Sequence, residues 1–225
     1  MKRGEKLALL VLNMKILSID TSSKNAIVAI TENEEKIIEL NNEEEKTHSQ
    51  KLMPMIDEAF QKSNLSLDNI DLIVCCLGPG SFTGVRIGIA TAKAFADSKN
   101  IPTVGVNSLE VLAHSIETEG KICALIDAGH ENAYAGYYEI KKEKNGNLQT
   151  IQEELTFLNL TDEKLKEIQK KYKIVKEQTN GLGITIAKIG YTKYQNGKSG
   201  DSSILSPVYL RKSQAELALE EKKQQ

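Results

Sequence analysis

The chain has no tryptophan, and only three histidines, three cysteines and four prolines among its 225 residues. Cys75, Cys76 and Cys123 all lie in apolar runs, which reads as buried thiols in a reducing compartment and excludes a disulfide frame. His48, His114 and His130 include no pair at i, i+4, so the metallopeptidase helix is excluded and no metal site is expected. A basic excess is missing too. Lys and Arg number 29 against 31 Asp and Glu, a net charge of −2, so a broad nucleic-acid-binding face is excluded. No apolar run is long enough to span a bilayer. Leu7 to Leu12, after Met1-Lys2-Arg3, imitates a short signal peptide, but no small-residue cleavage site follows. Residues 1–13 are read as an extension upstream of a start at Met14, and a cytoplasmic location is expected. What remains is an ordinary globular composition, 40 % hydrophobic and 27 % charged.

The apolar pattern reads βββ-α-β-α-β-α through the first half. Strands are expected at 16–20, 26–31, 36–40, 70–77 and 102–106. Helices are expected over 52–60 (N-cap Thr47 or Ser49, Pro54 near its start), over 85–96 and over 108–116. The acidic segment 41–46 reads as a solvated connection. Then the pattern restarts. Ile19-Asp20 with Asn25-Ala26 matches Ile126-Asp127 with Asn132-Ala133 in register, each after one apolar strand and before another. A third strand is expected over 150–158, a helix over 161–172 with N-cap Thr161, and a short strand over 173–175. Beyond this the second copy reads as degraded: Asn180-Gly181-Leu182-Gly183 is its nearest glycine corner, 197–203 a loop, 207–211 the last ordered piece, and 215–225 a charged helix or tail. The fold class is therefore α/β, a duplicated βββαβα lobe with the second reduced. The division is 1–13 extension, 14–118 first lobe, 119–211 second lobe and 212–225 tail.

The segment Gly78-Pro79-Gly80-Ser81-Phe82-Thr83-Gly84-Val85-Arg86-Ile87-Gly88 joins a strand to a helix start. Such a corner collects backbone N–H groups at the positive end of a helix dipole, which suits a phosphate or carboxylate. Gly78, Gly80, Ser81, Thr83 and Gly84 are its candidate anion-facing residues, with Asp20, Thr21 and Ser22 at the end of the first strand. It fits neither the P-loop, which needs a Lys-Ser/Thr pair, nor G-x-G-x-x-G. Asp20 is open between a metal or water contact and a bond to its own turn. For Asp127, followed by Ala128 and Gly129, the turn is favoured. Ser81 lacks a G-x-S-x-G elbow, and no nucleophile, base and orienting group share a neighbourhood, so no catalytic residue is assigned. Gly84, Gly88, Ala92 and Ala96 recur every fourth residue. Gly88 inside a helix costs about 1 kcal/mol against Ala, which calls for a close backbone approach, either within the chain or to another subunit.

These motifs resemble the TsaB family of tRNA threonylcarbamoyladenosine biosynthesis proteins. The glycine corner carries the resemblance, with Ile16-Leu17-Ser18-Ile19-Asp20-Thr21-Ser22, His48-Ser49 before Leu52-Met53-Pro54, and Pro207-Val208-Tyr209-Leu210-Arg211 in support. The resemblance implies an actin/Hsp70/sugar-kinase-like (ASKHA) fold. It also implies a non-catalytic subunit that supports a TsaD-like catalytic subunit, with a TsaE-like ATPase, in transferring a threonylcarbamoyl group to the adenosine beside the anticodon of tRNA. The tRNA would be met mainly through the complex. The heterodimer interface it implies draws on His48, Leu52, Met53, Ile56, Val85, Arg86, Gly88, Ile89, Ala92 and Lys93, and the same helices could pair two copies of the chain alone. ATP or ADP at the subunit boundary is the one cofactor left open. Gly129 departs from the family, which commonly has Arg there. A stand-alone ASKHA-type ATPase or phosphotransferase is the alternative, drawing on Asp20 and the glycine corner. A third reading, a metallopeptidase, lacks its histidine pair.

Overall fold

The computed structural model describes residues 13–42, 47–142, 148–176 and 181–211. The expectations for residues 1–12, for 43–46, for Asn180 and for the tail 212–225 lie outside the described residues. The first half gives β1 (Lys15–Asp20), β2 (Ala26–Glu32), β3 (Glu35–Asn42), α1 (His48–Ser63), β4 (Leu72–Cys76), α2 (Phe82–Lys99), β5 (Thr103–Val106) and α3 (Ser108–His114). The second gives β6 (Gly120–Gly129), β7 (Asn132–Lys142), β8 (Leu148–Asn159), α4 (Asp162–Gln169), β9 (Lys173–Lys176) and α5 (Leu182–Gln195).

The duplication is visible in the strand order. One sheet runs β3-β2-β1-β4-β5 and the other β8-β7-β6-β9, the same order with one strand fewer. In each, an antiparallel pair (β1 with β2, β6 with β7) sits beside a parallel neighbour (β4 or β9). Neighbouring residues of β1 enter different cores, as the two-residue period of a strand requires. Leu17 and Ile19 join Val28, Ile73 and Cys75 under α1 and α2, whereas Ile16 joins Leu72, Val74 and Val104 under α5. Each fully buried side chain of this size contributes about 1.5–3 kcal/mol relative to exposure.

The second copy is less degraded than the sequence suggested, because α5 completes its βββαβα order. Reading Asn180 to Gly183 as a corner missed this helix. Its glycines and β-branched residues weaken helix propensity, but they serve packing. A Cβ on Gly183 would lie 2.7 Å from the Ala29 Cβ, and one on Gly190 would overlap the Val74 side chain. α5 thus lies close against the first sheet, and α3, from the first half of the chain, packs against β6 and β7 of the second. The two helices meet between the sheets. Glu110 of α3 pairs with Lys193 of α5 at 2.6 Å, and the more exposed Glu117 pairs with Lys188 at 3.1 Å.

Two further expectations need correction. Pro54 is not at the start of α1 but inside it, since the helix begins at His48. The Gln50 carbonyl loses its amide donor there, and Gln50 is exposed, so water can take that place. The helix expected over 161–172 ends at Gln169, with Thr161 capping it as expected through its side chain and the Lys164 N–H.

Candidate functional site

The turn after β1 and the glycine corner are built against each other. The Ser81 N–H donates to the Ser22 carbonyl at 2.6 Å, and the Thr21 hydroxyl donates to the Gly84 carbonyl at 2.6 Å. A Cβ on Gly80 would overlap the Ser22 carbonyl oxygen, and one on Gly84 the Thr21 carbonyl oxygen. At Gly88 it would meet the Thr21 hydroxyl oxygen at 2.5 Å. The glycines therefore make room for this chain's own turn. The expected concavity of free N–H groups is partly filled: Ser81 N is committed to Ser22, and Gly84 N to the Ser81 hydroxyl that caps α2. Only Gly78 in this motif has positive φ, +86°, and its carbonyl accepts the Ser108 N–H that starts α3.

Between the two sheets a cleft of about 630 Å³ opens beside this corner. Asp20, Ser22, Gly80 and Ser81 line it on one side, Asp127 and Tyr134 on the other, with Ser108 and Val111 of α3 and Leu182 of α5 between them. Thr21, Gly78, Thr83 and Gly84, grouped with these from the sequence, do not line it. Ser108, Val111, Tyr134 and Leu182 were not found from the sequence. They come from separate elements and share no local pattern, and only the Asn107 cap before Ser108 leaves a sequence mark.

The chemistry of the polar side is set by burial. Asp20 accepts the Ser22 N–H at 2.7 Å. Burial pushes its carboxyl up from the usual range, and the Ser22 hydrogen bonds, Cys76 and His48 act in the opposite direction. The Ser108 hydroxyl donates to the Ser22 hydroxyl at 3.0 Å and sits 3.1 Å from the Cys76 sulfur. Burial, with Asp20 alongside, pushes the Cys76 thiol far up, so it stays protonated. His48 is tied through Nε2 to the Ser23 carbonyl at 2.8 Å. Asp127 is exposed and accepts the Gly129 N–H at 2.8 Å, the turn bond favoured for it. Among the described residues no cluster of three or more His, Cys, Asp or Glu could hold a metal ion, and no helix is long and apolar enough to cross a membrane.

The residues expected to face a partner divide into two groups. Leu52, Ile56, Val85, Gly88, Ile89 and Ala92 are buried in the core of this chain, so they cannot offer their side chains to another subunit. The physical reason is the four-residue ridge of α2, which packs inward against Thr21 and the first sheet. Met53, half exposed at 50 %, and the exposed Arg86 remain available, and His48 and Lys93 are partly covered. The exposed residues of α2 are instead Thr83, Arg86, Ala90, Ala94, Asp97, Ser98 and Lys99, with Ile87 half-buried against the core.

Comparison with known proteins places this architecture. The family model described as TsaD, tRNA N6-adenosine threonylcarbamoyltransferase, matches residues 39–192. The tRNA threonylcarbamoyladenosine biosynthesis protein TsaB of Bacillus subtilis (strain 168) is 36 % identical over 139 residues, covering 61 % of this chain and 59 % of that protein. The protein of the same name from Buchnera aphidicola subsp. Schizaphis graminum is 31 % identical over 165 residues, covering 71 % of this chain and 77 % of that one. The chain thus spans somewhat more than half the length of the Bacillus relative. The solved structure of YeaZ from Pseudomonas aeruginosa superposes with a TM-score of 0.71 at 20 % identity, over 88 % of this chain and all of that one, and shows the shared fold. With its two α/β sheets of like strand order, the fold is ASKHA-like. Matched by the TsaD model over most of its length and by TsaB relatives at up to 36 % identity, the chain belongs to the TsaB family.

Proposed function

We propose that this chain is a non-catalytic subunit of the complex that forms threonylcarbamoyladenosine beside the anticodon of tRNA, and that its first lobe, residues 14–118, docks on a TsaD-like catalytic subunit. Membership of the TsaB family carries the reading, since its relatives bear the name of that biosynthesis. The surface of α2 supports it. The helix turns Gly84, Gly88, Ala92 and Ala96 inward and leaves Thr83, Ala90 and Ala94 exposed beside Arg86, small uncharged side chains over which another protein surface can come close. The corner supports it as well: a turn that fills its own glycine cradle is a weaker phosphate grip than the stand-alone ATPase alternative needs.

Reconstitution tests the proposal. The purified chain, a TsaD-like subunit, a TsaE-like ATPase and the threonylcarbamoyl adenylate are combined with unmodified tRNA. Modified adenosine is expected only when this chain and the catalytic subunit are both present. Modification by this chain alone, or steady ATP turnover by it alone that Asp20→Ala abolishes, would overturn the reading in favour of an independent enzyme.

A further inference from the structure

Arg86 is exposed on α2, yet it is held in place. Its guanidinium carbon lies 4.2 Å from the centre of the Phe82 ring and 5.7 Å from that of Tyr209. The two rings are themselves stacked, 4.5 Å apart and 22° from parallel. Its Nε donates to the Tyr209 hydroxyl at 2.8 Å. Tyr209 is brought there by the 205–211 segment, which is anchored by buried Leu205 and by the Val208 N–H on the Leu77 carbonyl at 2.8 Å. Three separate contacts thus fix a side chain that solvent would ordinarily leave free. None of them neutralises it: among the described residues Arg86 has no carboxylate partner, and its terminal N–H groups make no hydrogen bond.

We infer that Arg86 is a preset receptor for a single carboxylate of the protein partner, an inference that rests on the subunit reading above. A guanidinium offers parallel N–H groups that match the two oxygens of a carboxylate. Stacking has already removed much of the rotamer freedom that binding would otherwise cost. The neighbouring surface selects a protein acid over an RNA backbone. A polyphosphate is gripped by several cations in a row, and α2 offers none near Arg86. Thr83, Ile87, Ala90 and Ala94 are uncharged. Lys93 is half-buried and helps to hold the Asp201 carboxyl below its usual range, behind the Ser203 hydrogen bonds, while Lys99 is paired with Asp68 at 2.6 Å. One fixed cation beside exposed Thr83, Ala90 and Ala94 is the layout of a contact in which small uncharged side chains let a partner come close and a specific ion pair sits at the rim.

The test measures affinity of the full chain for the TsaD-like subunit by calorimetry, with thermal melting of each variant as a control for folding. Wild-type binding is expected, weakened about tenfold or more by Arg86→Gln and also clearly by Arg86→Lys, because Lys keeps the charge but neither forks nor stacks. Tyr209→Phe, which keeps the ring and loses the hydrogen bond, should cost about two- to threefold. A partner Asp or Glu changed to Lys that restores binding to Arg86→Glu would identify the carboxylate. If the wild type binds and Arg86→Gln binds within about twofold of it, the carboxylate receptor is wrong while the subunit reading stands. If the wild type does not bind at all, that reading fails and the receptor with it. If Arg86→Gln leaves subunit affinity unchanged but removes tRNA binding by the chain alone, the guanidinium serves a phosphate and the inference is overturned.

Discussion

Asp20 and Asp127 close the same turn at equivalent ends of β1 and β6, each accepting the N–H two residues on, at 2.7 and 2.8 Å, and both line the cleft between the sheets. Their surroundings differ. Asp20 is 5 % exposed beneath the glycine corner, and Asp127 is open to solvent. The duplicated backbone makes the same local bond twice, while packing buries one carboxyl and leaves the other in water.

That difference predicts a pH dependence. Burial raises the Asp20 carboxyl in the folded state above its unfolded value. In that window the unfolded chain binds fewer protons, so stability falls as pH rises from the unfolded value through the folded one. Asp20→Asn keeps the acceptor for Ser22 and removes the titration. Its melting temperature should match the wild type near pH 3 and exceed it near pH 7. A variant less stable than the wild type at both would show that the carboxylate is stabilised where it lies.

Gly84 and Gly88 both meet Thr21, but through different atoms. A methyl at Gly84 strikes the Thr21 backbone carbonyl, whereas at Gly88 it strikes the hydroxyl. Gly84→Ala and Gly88→Ala should each destabilise by about 2–4 kcal/mol in denaturant unfolding. Adding Thr21→Ala should relieve Gly88→Ala and leave Gly84→Ala as damaging as before, a coupling that a double-mutant cycle reads directly. It follows that bulky substitutions at Gly88 or Ala92 report on folding and not on a subunit interface.

The Tyr138 hydroxyl is fully buried near Leu109 and Gly136 and has no hydrogen-bond partner among the described residues. Removing an unpaired buried hydroxyl is neutral or favourable, so Tyr138→Phe should change stability by about 0 to +1 kcal/mol near neutral pH. Burial also pushes the phenol up from its usual range. Above about pH 10 the unfolded chain loses this proton first, and the wild type should lose stability there faster than the Phe variant.

The turn between β6 and β7 places His130 and Glu131 at φ 53° and 59°, the left-handed region. Paired positive φ at a hairpin tip favours Asn and Gly. Glu131 contributes its carbonyl, which accepts the Leu160 N–H at 2.6 Å and the Asn159 side chain at 3.1 Å. Glu131→Gly keeps that carbonyl and should stabilise by about 0.5–1 kcal/mol, while Glu131→Val should destabilise, since a β-branched residue resists this conformation.

Much of this was legible in the residues. The β1 strand, the capped start of α4 and the repeat at Asp20 and Asp127 follow from period and turn chemistry, which act over a few neighbours. So does the α2 ridge, whose cost at Gly88 called for a close approach. The identity of the approaching group was not legible, because Thr21 lies far away in sequence. Pro54 was misplaced because the cap at Thr47 lies about two turns ahead of it, and helix ends depend on which cap wins. α5 was missed because its glycines lower helix propensity and gain only through contact with Ala29 and Val74.

By itself the sequence determined the α/β class, the doubled lobe and the family, because strand alternation, helix caps and a specific glycine motif are local and survive without knowledge of the fold. Only the tertiary structure decided that α3 and α5 pack on each other's sheets, that the glycine corner holds its own turn, and that Arg86 is clamped by Phe82 and Tyr209. Each of these depends on side chains distant along the chain occupying the same few ångströms, and no pattern of neighbours records that.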